Sequence, residues 1–149
     1  MLSSTAFMEG EMIPEENACD GANISPDFAW TGGPPADSYA IVFTDLSNGL
    51  IHWILWDVSS DTMALAADID MGFAPADVPG AKQSLNYANQ RVYAGPCPPN
   101  THTYEFKLHA VDEYPLSGVD MGSSTMQLRT AIEAHSLASA TLTGMYTPP

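Results

Sequence analysis

The 149 residues, 45% of them hydrophobic and with 12 prolines and 11 glycines, suit a single globular domain over residues 1–149 and favour many turns over long helices. Four basic residues against 18 acidic ones leave a net charge of −14, which argues against nucleic acid or an anionic lipid surface as a partner, since both need a positive footprint. No apolar run approaches the ~20 residues that cross a bilayer, so no integral membrane contact is expected. The basic residues, Lys82, Arg91, Lys107 and Arg129, are scattered, and the acidic excess reads as a solvated surface. The N-terminal run MLSSTAFMEGEMIPEE has neither a basic n-region nor an apolar h-region. A cytoplasmic location is therefore expected, or a periplasmic or secreted one if a leader has been lost.

Residues 11–36 carry Pro14, Gly21, Pro26, Gly32, Gly33, Pro34 and Pro35 and read as loop. Two β-rich runs follow, YAIVFTD and LIHWILWDV, separated by Asn48-Gly49. That dipeptide is a strong hairpin signal, because both residues tolerate positive φ. A two-residue turn there sets Asp45 opposite His52, Phe43 opposite Ile54, Ile41 opposite Trp56 and Tyr39 opposite Val58. Apolar residues on both faces of these strands predict a central place in a layered sheet. Residues 59–92 read as loop-rich. The turn YAGPCPPNT then feeds HTYEFKLHAV, which alternates: His102, Tyr104, Phe106, Leu108 and Ala110 share an inward face, and Thr103, Glu105, Lys107 and His109 share the other. A helix capped by Ser123 or Ser124 places Leu128, Ala131, Ile132 and His135 on one stripe, and ATLTGMY closes the chain as a strand. The expected fold is mainly β, an antiparallel sandwich with one C-terminal helix.

Two strand readings thus put a histidine at the rim of an apolar face, with Asp45 beside one and Tyr104 beside the other. A lone inward histidine is more often a satisfied core residue. Two at strand ends, with a carboxylate opposed, point to a site. A neighbouring carboxylate favours imidazolium, and imidazolium and phenol are donors suited to phosphate or carboxylate oxygens. Non-proline amides of the Gly95–Pro99 turn could add to them. His109 and His135 read as structural. Asp45, His52 and His102 match a facial metal triad in residue type, which makes a metal-assisted hydrolase the alternative. Neither HExxH nor HxH spacing is present, however, and no GxSxG marks a serine nucleophile. Cys19 and Cys97 form no CxxC or metal motif, and as sequence they fit two free thiols or one long-loop disulfide.

The runs FMEGEMIPEENACDGANISPDFAW, IHWILWDV, YAGPCPPNTHTYEFKLHAVD and AIEAHSLASATLTGMY, in this order, resemble the phosphatidylethanolamine-binding protein family. The nearer likeness is to its bacterial and archaeal branch of Raf kinase inhibitor-like proteins. The resemblance implies a sandwich of two antiparallel sheets with a pocket at one end that holds phosphate, acetate or a phospholipid head-group analogue. It implies a non-enzymatic binding protein without a cofactor, with a regulatory role through a protein partner and a homodimer as further expectations. The family's pocket aspartate matches Asp45, its HW histidine His52, its GPP segment Gly95 to Pro99 including Pro98, and its last histidine and tyrosine His102 and Tyr104. In this branch the two cysteine motifs occur together, which implies pairing of Cys19 with Cys97. The family's DPDxP and long loop are replaced here by DLSNG, and the arginine between histidine and tyrosine is Thr103.

Overall fold

A computed structural model describes residues 1–149. Two antiparallel sheets face each other. The small one has the order β1–β2–β5 and is built from β1 (Leu2–Ser3), β2 (Phe28–Trp30) and β5 (Ala64–Leu65). The large one has the order β6–β4–β3–β7–β8, with β3 (Ser38–Asp45), β4 (Ile51–Ser59), β6 (Lys82–Gln83), β7 (His102–Val111) and β8 (Ser136–Tyr146). A helix, α1 (Thr125–Ala134), starts at Ser124, whose hydroxyl accepts from the Gln127 amide in a capping box.

β3 is buried along its whole length and lies at the centre of the large sheet, as its two apolar faces predict. Between the sheets pack Tyr39, Ile41, Phe43, Trp53, Leu55, Tyr104, Phe106 and Leu108 with Phe28 and Trp30. On the outer face Val42, Ile54 and Trp56 pack beneath Leu128 and Ile132 of α1. The alternation read in β7 holds, since Tyr104, Phe106, Leu108 and Ala110 all join the inner core.

The β3–β4 register departs from the expected one. The hairpin loop is longer than Asn48-Gly49: the Gly49 amide donates to the Asp45 carbonyl, and the Asp45 amide to the Leu50 carbonyl. Thr44 therefore faces Ile51, Phe43 faces Trp53 and Ile41 faces Leu55. Tyr39 faces Val58 as expected, but only because two bulges intervene. Each bulge inserts one residue into β4 and resets which side chains share a face. Ile54 and Trp56 consequently lie on the helix side and not beside Phe43. At the second bulge Asp57 has φ 56°, and its carboxylate takes the Leu116 amide and the Lys82 ammonium.

Two histidines also differ from expectation. His109 does not point to solvent. It is 3% exposed, and its Nδ1 lies 2.8 Å from the Ser136 hydroxyl. The helix α1, packed on the outer face of the large sheet, covers that side. His135 leaves the apolar stripe. It caps α1, with its ring between Asp112 at 2.7 Å and Glu113 at 2.9 Å.

Burial, with Lys107 second, holds the His109 pKa down from 6.5 to about 4, against the pull of Glu133. Because the folded value is the lower one, this histidine's contribution to stability is complete above pH 6.5 and is lost as pH falls toward 4. Urea unfolding at pH 7 and pH 5 should show this loss, and the loss should shrink in His109→Gln. An unchanged pH slope in that variant would remove His109 as its source.

Candidate functional site

Phe43 forms the floor. Its ring stacks on Phe106 at 4.1 Å and on Tyr93 at 5.3 Å, and meets His52 at 5.0 Å and Tyr104 at 5.8 Å. Above it opens a cavity of about 210 Å³ lined by Asp45, Asn48, Leu50, His52, Tyr87, Cys97, Pro98, Pro99, His102 and Tyr104. No lysine or arginine lines it. A second cavity of about 180 Å³, near the start of β3, includes Trp30, Tyr39, Leu108 and Ala110 and has no acidic, basic or histidine side chain in its wall. A third cavity of about 300 Å³ holds the Lys82–Asp57 ion pair and Asp120 but no histidine, so the histidine chemistry gathers at the first.

The strand ends place each group. Asp45 pairs across the sheet with Tyr104, so the carboxylate and the phenol are cross-strand neighbours. His102 lies two residues earlier on the same face of β7, the diagonal position that a long side chain can reach. Its Nδ1 is 2.6 Å from Asp45 Oδ2, and the other carboxylate oxygen accepts the Ser47 amide. Asp45 thus neighbours His102, and the expected Asp45–His52 opposition is not formed.

His52 enters by another route. It is the extra residue of the first bulge, between Ile51 facing Thr44 and Trp53 facing Phe43. Alternation counted back from Trp53 would send it toward α1, and the bulge keeps it on the Phe43 face, where a regular hairpin also puts it. Its Nδ1 lies 3.0 Å from the Ala94 carbonyl, and the rings of Tyr87 and Tyr104 present edges at 4.9 and 5.5 Å. Burial lowers its pKa below 6.5, although the Ala94 and Gly95 carbonyls and the Asp45 charge pull the other way. The imidazolium expected from a neighbouring carboxylate is therefore not favoured at His52, because desolvation outweighs a carboxylate bound to another histidine.

Tyr104 is 1% exposed, and its hydroxyl has no hydrogen-bond partner within the chain. Burial first, then Asp45, raises its pKa far above 10, so it remains a neutral phenol. Burial also raises Tyr87, whose hydroxyl donates to the Gly95 carbonyl at 3.2 Å.

The remaining wall is braced from the CDGANIS segment. Cys19 and Cys97 are bonded. The Cys19 amide donates to the Pro96 carbonyl, and the Gly95 amide to Asn23 Oδ1 at 2.8 Å. Gly95 stands behind the pocket and not in its lining, and its amide is already used. A side chain there would begin 1.9 Å from the Asn17 carbonyl oxygen, which is why glycine occupies the position. Pro98 does line the cavity, joined by Pro99 and Cys97. Tyr87, Asn48 and Leu50 were missed by sequence reasoning. Tyr87 sits in a loop without periodicity, and the only signal for Asn48 was its place in the hairpin dipeptide.

The three groups of the metal alternative do not converge as ligands. No set of three His, Cys, Asp or Glu side chains is disposed around a common point. No helix is long and apolar enough to cross a membrane.

The family model described as phosphatidylethanolamine-binding protein matches residues 3–147. The chain belongs to the phosphatidylethanolamine-binding protein family. Among its relatives, a UPF0098 protein of Methanothermobacter thermautotrophicus is 34% identical, with 97% of each chain covered. The UPF0098 protein YbhB of Escherichia coli is 31% identical, with 97% of this chain and 98% of that one covered. Two solved structures agree. A phosphatidylethanolamine-binding protein homologue from Chlamydia trachomatis superposes with a TM-score of 0.82 at 32% identity, over 99% of this chain and 97% of the other. YbcL of Escherichia coli, described as a new member of the mammalian family, gives 0.89 at 26% identity, over 100% and 98%. The two-sheet fold with its single helix is thus the family's fold.

Proposed function

We propose that this family member is a non-enzymatic binding protein whose pocket receives one small oxyanion, a phosphate group above all. The observation that carries this reading is the Asp45–His102 pair. Asp45 holds Nδ1 of His102, while Nε2 of the same ring has no partner in the chain. In its imidazolium form, a ring held at one nitrogen by a carboxylate aims its other N–H as a donor at a bound group. The unpartnered Tyr104 hydroxyl beside it supplies a second donor. The wall offers no serine or cysteine nucleophile, because the Cys97 sulfur is bonded to Cys19.

The test is a titration with inorganic phosphate and with phosphorylethanolamine, followed through the imidazole resonances of all four histidines. His52 and His102 should shift at millimolar ligand while His109 and His135 stay still. If neither pocket histidine responds, the site is misassigned. The disulfide weights the protein's compartment toward an oxidising one, against the cytoplasmic expectation.

A further inference from the structure

His52, like His102, is held through Nδ1, but by a backbone carbonyl in place of a carboxylate, and that difference bears on what the pocket takes. A backbone carbonyl only accepts, so the His52 nitrogen facing the Ala94 carbonyl must carry the ring proton. The neutral ring then has a lone pair on Nε2, which has no partner in the chain. Resting on the anion reading above, we infer that the pocket takes its oxyanion as a monoanion that still bears a proton, donated to Nε2 of His52. The ligand class is inorganic phosphate or a phosphate monoester in its singly charged form.

Two further observations point the same way. First, the lining has no lysine or arginine to balance a dianion. Its titratable groups are Asp45 from β3, His52 from β4, His102 and Tyr104 from β7, and Tyr87 from the adjoining loop. The phenols are neutral, and the Asp45 carboxylate opposes added negative charge. Second, His52 is 3% exposed, and burial disfavours a second proton on its ring. Sulfate and phosphodiesters bring only acceptor oxygens at neutral pH. Either would set an oxygen lone pair against the lone pair of Nε2. A polar group left unmatched when the ligand displaces its water costs about 1–3 kcal/mol, which corresponds to roughly 10- to 100-fold in affinity.

Calorimetric titration of the full chain at pH 6.5 with four probes tests this: inorganic phosphate, sulfate, phosphorylethanolamine and glycerophosphorylethanolamine. The monoester and the diester also separate a free phosphorylated molecule from an intact lipid head group. Phosphate and the monoester should bind at least about tenfold tighter than sulfate and the diester. The monoester's affinity should fall as pH rises past its second ionisation, near 6. Imidazole nitrogen shifts should keep His52 neutral with the proton on Nδ1 in the phosphate complex. Equal binding of sulfate and phosphate, or conversion of His52 to imidazolium on binding, overturns the protonated-ligand inference and leaves the anion pocket standing. Binding of none of the four overturns both.

Discussion

Replacing His102 by alanine is expected to lower the affinity for inorganic phosphate about 100-fold. Two effects act in the same direction. The ring is the one pocket donor held in place by a carboxylate, and charge-assisted hydrogen bonds of this kind contribute about 1.5–3 kcal/mol. Its removal also leaves Asp45, 2% exposed, without its partner and facing the incoming anion. The second effect predicts a partial rescue. In the Asp45→Asn, His102→Ala double variant the bare carboxylate is gone, so part of the phosphate affinity should return although the donor does not. Thermal unfolding should follow the same order, because a buried carboxylate stripped of its partner destabilises by roughly 3 kcal/mol. Calorimetric titration of the two variants beside the native chain measures the affinities, and scanning calorimetry of the same proteins measures the stability. An affinity within threefold of native in His102→Ala would show that the anion is held elsewhere.

Reducing the Cys19–Cys97 bond is expected to remove about 4 kcal/mol of stability, because the bond closes a loop spanning 78 positions. The loss should not stop at stability. Cys97 belongs to the pocket wall, and the turn that carries it rests on the CDGANIS segment through the Gly95 amide and the Cys19 amide. Once the covalent tie is cut, only those two hydrogen bonds join the turn to the CDGANIS segment, and the lost rigidity should weaken phosphate binding as well. Urea unfolding with and without dithiothreitol, repeated on the Cys19→Ser, Cys97→Ser variant, gives the stability difference. Curves that differ by less than 1 kcal/mol would mean that the unfolded chain gains little freedom when the bond opens.

The parts of the site that were legible in the sequence are those where a strand alternates without interruption. From His102 to Ala110 the apolar period of two is unbroken, and it aims His102 and Tyr104 inward over Phe106 and Leu108, as observed. The capping serine and the Leu128–Ile132 spacing likewise describe α1. The resemblance joined the two half-sites and paired the cysteines, and the bond is present.

The same rule failed in β4, because a bulge adds one residue without any change in local composition. Nothing in IHWILWDV distinguishes a regular strand from one with two bulges, yet the bulges decide that His52 faces Phe43 and that Trp56 faces the helix. They also leave Asp45 to His102 and bury His52, and that burial reverses the protonation expected there. Burial of His109 was hidden for a related reason, since a strand's outer face looks polar until a helix from farther along the chain covers it. The sequence by itself determined the strand directions, the helix and the residue types of the pocket, because these follow from local periodicity. Only the tertiary structure decided which carboxylate serves which imidazole, that Tyr87 completes the wall and that Gly95 stands behind it. Those choices depend on register and on contacts between segments distant in the chain, where spacing along the sequence carries no information.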